Sequence, residues 1–302
     1  MSGRLTDSNS GQSYAGKNKV TEDVATSDVP KDRQNKTGRV IVITSGKGGV
    51  GKTTATANIG TGLARAGHRV CMVDADVGLR NLDVIIGLEN RIVYDLVEVI
   101  EGTCKLRSAL IRDKRMDNLF LLPAAQTRDK DAIAPEQFKE LCLELAQDFD
   151  FVIVDSPAGI EQGFRNAIAG ADEAIVVTTP EVSAVRDADR ITGMLEANEL
   201  YAPKLIINRV RPEMVRRGDM MDIKDVIEIL AIELLGVIPD DPSIIVAANK
   251  GEPVILDSKS RAAIAYDNIV RRILGEDVPP MNLQQEGLLE RLRRLMPSRK
   301  AN

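Results

Sequence analysis

Residues 46–53 read GKGGVGKT, a run whose composition suits a loop that binds phosphate. Its four glycines let the backbone curl so that successive N–H groups point at one anion. Lys52 supplies a positive charge for the β- and γ-phosphates of a nucleotide, and the Thr53 hydroxyl is placed to bind Mg²⁺. The glycines, the lysine and the threonine have the spacing of a phosphate-binding loop and directly follow an apolar run. A glycine-rich turn without a ligand is therefore disfavoured. The residues predicted to bind nucleotide here are Gly46, Lys47, Gly48, Gly49, Val50, Gly51, Lys52, Thr53 and Thr54.

Acidic residues follow two further apolar runs. Asp155 ends the run 151–155, which is the pattern of an acid that reaches Mg²⁺ through water. Asp74 and Asp76 follow the run 70–73. We expect these acids to lie beside the phosphate loop. Helix capping or simple strand termination is the alternative for each of them.

Apolar runs and helix-compatible segments alternate from residue 39 onward. The runs are continuous in Val, Ile and Leu, as expected of strands that are buried on both faces. We predict strands at 40–44, 69–74, 118–122, 151–155, 173–178, 204–208 and 234–238, and helices at 53–66, 95–101, 135–147, 164–169, 184–197, 223–231 and 261–274. The alternation predicts an α/β fold with a doubly wound, mostly parallel sheet flanked by helices, in which ligands bind at the carboxyl ends of the strands.

The composition excludes several classes of protein. The chain has 302 residues with 43% hydrophobic and 3% aromatic content, enough for a large core of aliphatic side chains. Its net charge of −5 argues against a protein that coats nucleic acid. Cys71, Cys104 and Cys142 form no C-x-x-C pair and His68 is the single histidine, so we expect a reducing compartment and no disulfide framework or histidine metal site. No apolar run reaches the roughly 18 residues of a membrane span.

These patterns divide the chain into three segments. Residues 1–38 are polar and lack a periodic apolar face, so we predict that they are disordered. An import signal is the alternative for this segment, but its acidic residues disfavour it. We assign the α/β domain to residues 39–277, and a linker with an amphipathic tail to residues 278–302.

The tail carries apolar residues at the spacing of one helix face. At about 100° per residue they occupy an arc roughly 120° wide. Residues 283–302 contain five basic and two acidic side chains, a net charge of +3. This pattern is typical of a helix that lies in the surface of an anionic bilayer, and a helix docked on its own domain is the alternative. The apolar residues are Leu288, Leu289, Leu292, Leu295 and Met296.

Five stretches of the chain resemble the ParA/MinD family of ATPases, and its division-site branch most closely. They are VITSGKGGVGKTT (42–54), DADVGLRNLDVIIGLENR (74–91), DSPAGIE (155–161), TTPEVSAVRDADR (178–190) and GEPVILD (251–257). The resemblance extends over residues 39–275 and implies that the cofactors are ATP and Mg²⁺. It also implies that the glycine-containing segments 78–87 and 159–163 are switches that become ordered around the γ-phosphate and Mg²⁺.

The resemblance suggests a role for each matching residue. Lys47 matches the signature lysine of the family, which reaches across the interface of an ATP-dependent homodimer into the site of the partner subunit. Asp76 would position the attacking water, and Asp74 would lie near the metal, together with Thr53 and Asp155. The adenine contacts of the family are matched, by position alone, by Asn208 and Pro239.

The function that the resemblance implies is an ATP-hydrolysing membrane switch that helps to place the division site. Its expected partners are a division inhibitor, a topological regulator and anionic lipid, and no nucleic acid is expected. Residues 178–190 are either a partner surface or a solvated charged face. The expected location is the cytoplasm and the inner face of the cell membrane, or alternatively the plastid stroma and inner envelope.

Three related functions are alternatives. A DNA-partitioning ATPase is disfavoured by the acidic net charge, and an iron–sulfur carrier by the spacing of the cysteines. A flagellar-placement ATPase has no supporting helical motif in residues 1–38.

Overall fold

A single sheet runs through the computed structural model, which describes residues 38–126, 133–279 and 281. In these residues the sheet has eight strands in the order β3-β4-β2-β5-β1-β6-β7-β8, and only β3 is antiparallel to its neighbour. The strands are β1 (Arg39–Thr44), β2 (Val70–Asp74), β3 (Ile111–Arg112), β4 (Leu119–Leu122), β5 (Phe151–Asp155), β6 (Glu173–Thr178), β7 (Lys204–Val210) and β8 (Glu233–Pro239).

Helices cover both faces of the sheet. They are α1 (Lys52–Arg65), α2 (Leu82–Ile86), α3 (Leu96–Ile100), α4 (Leu106–Ala109), α5 (Pro135–Asp148), α6 (Gln162–Ala169), α7 (Val182–Ala197), α8 (Pro212–Arg217), α9 (Ile223–Leu230), α10 (Pro242–Ala248) and α11 (Arg261–Ile273). Alternate residues of β1 show why its sequence is apolar throughout. Val40 and Val42 pack into the core on one face, and Ile41 and Ile43 into the core on the other.

The doubly wound α/β fold predicted from the sequence is confirmed, and a strand lies at each of the seven predicted positions. Sequence periodicity missed β3 and the short helices α2, α4, α8 and α10. These elements have two to seven residues each, too few to show a repeating apolar pattern. One of them, α2, lies next to the nucleotide cleft described below.

The centre of the sheet determines which residues meet at its carboxyl edge. β5 lies between β1 and β2, and Asp74 at the end of β2 pairs in register with Asp155 at the end of β5. The loop between β1 and α1 begins at the same edge, one strand away. The predicted phosphate loop and the predicted acids are therefore neighbours because of strand order.

The chain turns back after α11 and lies against the outer strand β8. Leu205 pairs with Leu234 and Ile206 with Gly236, so Leu235 is an extra residue in β8. The Arg272 guanidinium donates to the carbonyl oxygens of Leu235 (2.6 Å) and of Val278, whose side chain is buried. Packing thus continues just beyond the predicted domain end at residue 277. The predicted disordered segment, apart from Gly38, and the apolar residues of the predicted tail lie outside the described residues.

Candidate nucleotide-binding site

The loop between β1 and α1 has the backbone that its glycines predict. Gly49 (φ 79°) and Gly51 (φ 98°) lie in the left-handed region, which side chains disfavour. No atom lies within 4 Å of where a Cβ would stand on Gly48 or Gly49, so these residues face the open cleft. Gly46 is different, because a Cβ there would stand 2.3 Å from the Asp187 carbonyl oxygen of α7. The loop is therefore open toward a ligand and tightly packed against α7.

Lys52 lies at the first position of α1 and is bound inside the site. Its Nζ lies 2.9 Å from Oδ1 of Asp155, and the two side chains are 6% and 1% exposed. The Thr56 hydroxyl donates to the same carboxylate oxygen over 3.1 Å. In the structure the predicted phosphate-binding lysine is thus paired with the predicted metal-site acid.

Asp74 binds the backbone of the segment between β2 and α2, which lines the cleft. Its carboxylate accepts hydrogen bonds from the backbone N–H groups of Asp76 (3.0 Å), Asn81 (3.4 Å) and Leu82 (3.3 Å). Leu82 is the first residue of α2, so Asp74 caps this helix, which is the alternative that the sequence left open for it. Burial raises the pKa of Asp74 to about 7, and the neighbouring Asp155 carboxylate adds to the effect.

The site has the properties that a magnesium nucleotide requires. Two buried carboxylates share one lysine, so a divalent cation would supply missing positive charge. The glycine backbone leaves room for phosphate oxygens in an open cleft of about 380 Å³. When bound, Mg²⁺ would supply charge neutralisation to the phosphates, and Thr53 and Asp155 are the residues placed to hold it. Among the described residues, no group of three or more Asp, Glu, His or Cys side chains is arranged to hold a metal ion.

Asp76 lies at this cleft, as predicted, together with two residues of the predicted switch segment 78–87 and one residue that the sequence did not single out. Leu79 and Asn81 line it from the segment between β2 and α2. Arg209 lines it from the end of β7 with φ at 56°, a left-handed backbone that no glycine signals in the sequence. The other lining residues are Ser45, Gly48, Gly49, Gly51, Lys52, Thr53, Thr54 and Ala158.

Lys47 points away from the floor of this cleft. Its side chain is 46% exposed, and Nζ lies 3.3 Å from the Ser183 hydroxyl and 3.8 Å from Glu181 at the beginning of α7. Lys47 therefore contacts α7 of its own subunit, while its exposure leaves it accessible to another molecule.

The two residues matched to adenine contacts occupy different positions. Asn208 is 3% exposed, and its side-chain N–H donates to the Val50 carbonyl oxygen over 2.7 Å. A Cβ on Gly51 would stand 2.2 Å from that same amide nitrogen, so Asn208 supports the phosphate loop from behind. Pro239 ends β8. A role of either residue in binding adenine stays a prediction.

The predicted partner segment 178–190 covers the end of β6 and the first half of α7. Arg186, Asp189 and Arg190 are exposed on it, and Val185 and Ala188 are buried beneath.

Crossing a bilayer requires a length and hydrophobicity that none of the helices in the described part of the chain has.

Comparisons with known proteins agree with this site. Residues 41–254 match the family described as the CobQ/CobB/MinD/ParA nucleotide binding domain. The septum site-determining protein MinD of Bacillus subtilis (strain 168) is 61% identical over 251 residues, which are 82% of this chain and 94% of that protein. A chain of the MinC:MinD cell division protein complex of Aquifex aeolicus gives a TM-score of 0.77 at 48% identity, over 81% of this chain and 99% of that one. Pyrococcus horikoshii OT3 MinD, complexed with Mg-ADP, gives 0.71 at 30% identity, over 78% and 96%.

Proposed function

Because the chain belongs to the MinD family of ATPases, we propose that it is an ATP-dependent membrane switch that acts in division-site placement. The observation that carries this proposal is the paired arrangement of a buried Lys52–Asp155 floor and an exposed Lys47 in one phosphate loop. The buried lysine suits nucleotide binding, and the exposed lysine suits a second subunit.

Nucleotide binding uses the floor of the cleft. The backbone N–H groups of the loop and Lys52 bind the phosphates, and Lys52 exchanges its contact with Asp155 for the β- and γ-phosphates. The carboxylate freed in this way is then available to Mg²⁺ together with Thr53. Asp76, at the open side of the cleft, orients the attacking water.

Hydrolysis needs a second cation near the γ-phosphate, and Lys47 is the residue we assign to it. Phosphoryl transfer is accelerated by positive charge placed where negative charge develops. The Lys47 side chain contacts the beginning of α7 and is not bound to the floor of its own cleft. We therefore assign it to the site of a partner in an ATP-dependent homodimer. A lone subunit is then a poor catalyst, and ATP controls dimer formation.

Membrane binding is assigned to the tail, on its sequence pattern alone. One short amphipathic helix binds lipid weakly, because little more than three turns are marginal in water. Two tails brought together by an ATP dimer bind through effective concentration. Nucleotide state therefore controls membrane residence without a contact between the tail and the active site.

A division inhibitor is the partner that we assign to the dimer. The related Aquifex aeolicus protein was solved in a MinC:MinD complex, and this chain is similar to a chain of that complex. The exposed charges of α7 adjoin Lys47 and Glu181, so a partner on this surface would respond to the state of the site. A topological regulator that releases the dimer is the second partner implied by the family.

Sedimentation with anionic liposomes tests the proposal. The wild-type protein should sediment with lipid in ATP and remain in solution in ADP. Removal of residues 283–302, or Leu292→Glu, should abolish sedimentation while ATP binding and dimerisation persist. Ser298→Glu is the matched control, because it adds the same charge beyond Pro297 and off the apolar arc.

Two outcomes would contradict the proposal. A truncated protein that still sediments with lipid in ATP would show that the tail is not the anchor. The same experiment with DNA in place of lipid tests the DNA-partitioning alternative. A protein that sediments with DNA in ATP, and does not sediment with lipid, would support that alternative and contradict the proposal.

A further inference from the structure

Arg115, in the turn between β3 and β4, joins three segments that are distant in sequence. Its guanidinium donates to both carboxylate oxygens of Asp113, at 3.1 and 2.7 Å. It also donates to the carbonyl oxygens of Ile86 (2.7 Å) and Gly251 (3.0 Å). Asp113 is 1% exposed and Arg115 21%. Burial alone would raise the pKa of Asp113, but the hydrogen bonds and the charge of Arg115 bring it below its ordinary value.

Two glycines complete this junction. Gly87 (φ 68°) and Gly251 (φ 66°) both have left-handed backbones and face each other. A Cβ on Gly87 would stand 2.8 Å from the Gly251 carbonyl oxygen, and a Cβ on Gly251 would stand 2.7 Å from Gly87 Cα. Neither backbone can move away easily while Arg115 holds the carbonyl groups on both sides. We call Arg115, Asp113, Gly87 and Gly251 the arginine junction.

The arginine junction is linked to the nucleotide cleft by one short helix. Ile86, whose carbonyl accepts from Arg115, is the last residue of α2, and Leu82 is its first. At that first turn the N–H groups of Asn81 and Leu82 donate to Asp74 on the floor of the cleft. Helix α2 is therefore fixed at both ends, by Asp74 at the cleft and by Arg115 outside it.

The segment before α2 forms one wall of the cleft. Asp76, Leu79 and Asn81 all line it, and they lie between the end of β2 and the first residue of α2. The phosphate loop belongs to a different element and has no contact with Arg115 among those described. A disturbance of the arginine junction should thus move the wall of the site and leave the phosphate loop in place.

We propose that Arg115 is a positioning residue for ATP hydrolysis, acting through α2 on Asp76 and its wall of the cleft. The inference rests on the ATPase function proposed above. Binding of the phosphates should depend little on Arg115, whereas the rate of hydrolysis should depend on it strongly. A merely structural role would lower stability and affect both quantities together.

Steady-state ATPase kinetics of Arg115→Lys test the inference first. A lysine keeps the charge beside Asp113, which limits the risk of unfolding, but it cannot bridge two carbonyl groups and a carboxylate. We expect kcat to fall by about tenfold or more, because small displacements of reacting groups are costly, while Kd for ATP changes by less than about threefold. Gly251→Ala disturbs the same junction from its other side and should give the same pattern.

Amide hydrogen exchange of the nucleotide-free protein gives a readout independent of activity. In Arg115→Lys the amides of Asn81 and Leu82 should exchange at least about tenfold faster, and those of β1 and β5 at the wild-type rate. Arg112→Ala, an exposed arginine of the same turn region, is the matched control and should change neither kcat nor exchange.

The failures of the two proposals are distinguishable. A wild-type protein without ATPase activity would contradict the proposed function itself. An active wild type together with a folded Arg115→Lys protein whose kcat stays within twofold of wild type would overturn only the role of Arg115. Equal loss of affinity and of kcat, or faster exchange throughout the sheet, would assign Arg115 a structural role and overturn the inference as well.

Discussion

Two lysines of one loop, five positions apart, occupy opposite environments. Lys52 belongs to the floor of the cleft, where it is almost fully buried and paired with Asp155 at 2.9 Å. Lys47 belongs to the rim, where it is half exposed and approaches Glu181 only to 3.8 Å. In the floor, the lysine is already paired with a carboxylate of the same molecule. The rim holds a cation whose contacts within the subunit are weak enough to be replaced.

The difference suits the two tasks, binding and catalysis, that we propose for one loop. A buried charge pair costs much free energy to break, so the floor recognises only a ligand that supplies equivalent charge. An exposed cation costs little to redirect, so the rim can respond to a second subunit. Binding and catalysis should therefore respond to different substitutions.

The largest effect on ATP binding is expected from Lys52→Ala, which breaks the floor. We expect ATP binding to weaken by about 3 kcal/mol or more, roughly 100-fold in Kd, because the phosphates lose their buried cation. Equilibrium dialysis with labelled ATP measures this change. The comparison fails if Lys52→Ala binds ATP as tightly as the wild-type protein.

Lys47→Ala tests the rim. We expect hydrolysis to slow by about 10³-fold, as when an arginine finger is removed, and dimerisation to be lost. The free energy of unfolding should stay within about 0.5 kcal/mol of wild type, because the side chain is exposed. Monomer ATP binding, measured on the same sample, should persist. A Lys47→Ala protein that hydrolyses ATP at the wild-type rate would refute the proposed role of Lys47 in the site of the partner subunit.

Asp76→Ala tests the wall between floor and rim. We expect a decrease in kcat of about 10²-fold, because the attacking water loses its orienting carboxylate. Dimerisation in ATP should persist and leave the protein retained on lipid. Single-turnover hydrolysis by the isolated dimer measures the step, with Asp76→Asn as a variant of equal size. Rapid turnover by either variant would remove Asp76 from this role.

A further prediction concerns how the free energy of unfolding of the nucleotide-free protein depends on pH. Folded Asp74, with a pKa of about 7, keeps a proton that the unfolded chain releases near the ordinary value of 3.8. Its contribution to stability is therefore complete below the ordinary value and is lost as pH rises through about 7, by at most about 1.4 kcal/mol per pH unit.

Urea denaturation at several pH values measures this dependence. Asp74→Asn removes the titrating group, so its stability should decrease less than that of wild type between pH 5 and pH 7.5. Parallel curves for the two proteins would show that burial does not raise the pKa of Asp74 as described.

The site residues that could be predicted from the sequence are those whose residue types are required by the local backbone and its ligand. Gly51 has a left-handed backbone with Asn208 behind it, and Lys52 follows at the beginning of a helix, so residue type and position are coupled locally. The sequence offered helix capping by Asp74 only as an alternative, and α2 itself was not predictable, because it has five residues and no periodic pattern. The contact of Arg115 with Gly251 spans 136 residues, and only the folded chain brings them together.

Arg209 shows the same limit at a single residue. Its left-handed backbone lies at an irregularity in the pairing of β7 with β8, and arginine carries no preference for that conformation. Lys47 was found through a family pattern, whereas its contact with Ser183 needed the position of α7. Local chemistry is thus readable from the sequence, and contacts between distant segments are not.

The extra residue of β8 has a consequence for how these molecules behave when crowded. An outer strand offers unpaired backbone groups to any other strand, and a protein at high local concentration meets many copies of itself. Here Leu235 interrupts the regular ladder, and Arg272 already occupies its carbonyl oxygen. Edge-to-edge aggregation is thereby opposed at β8.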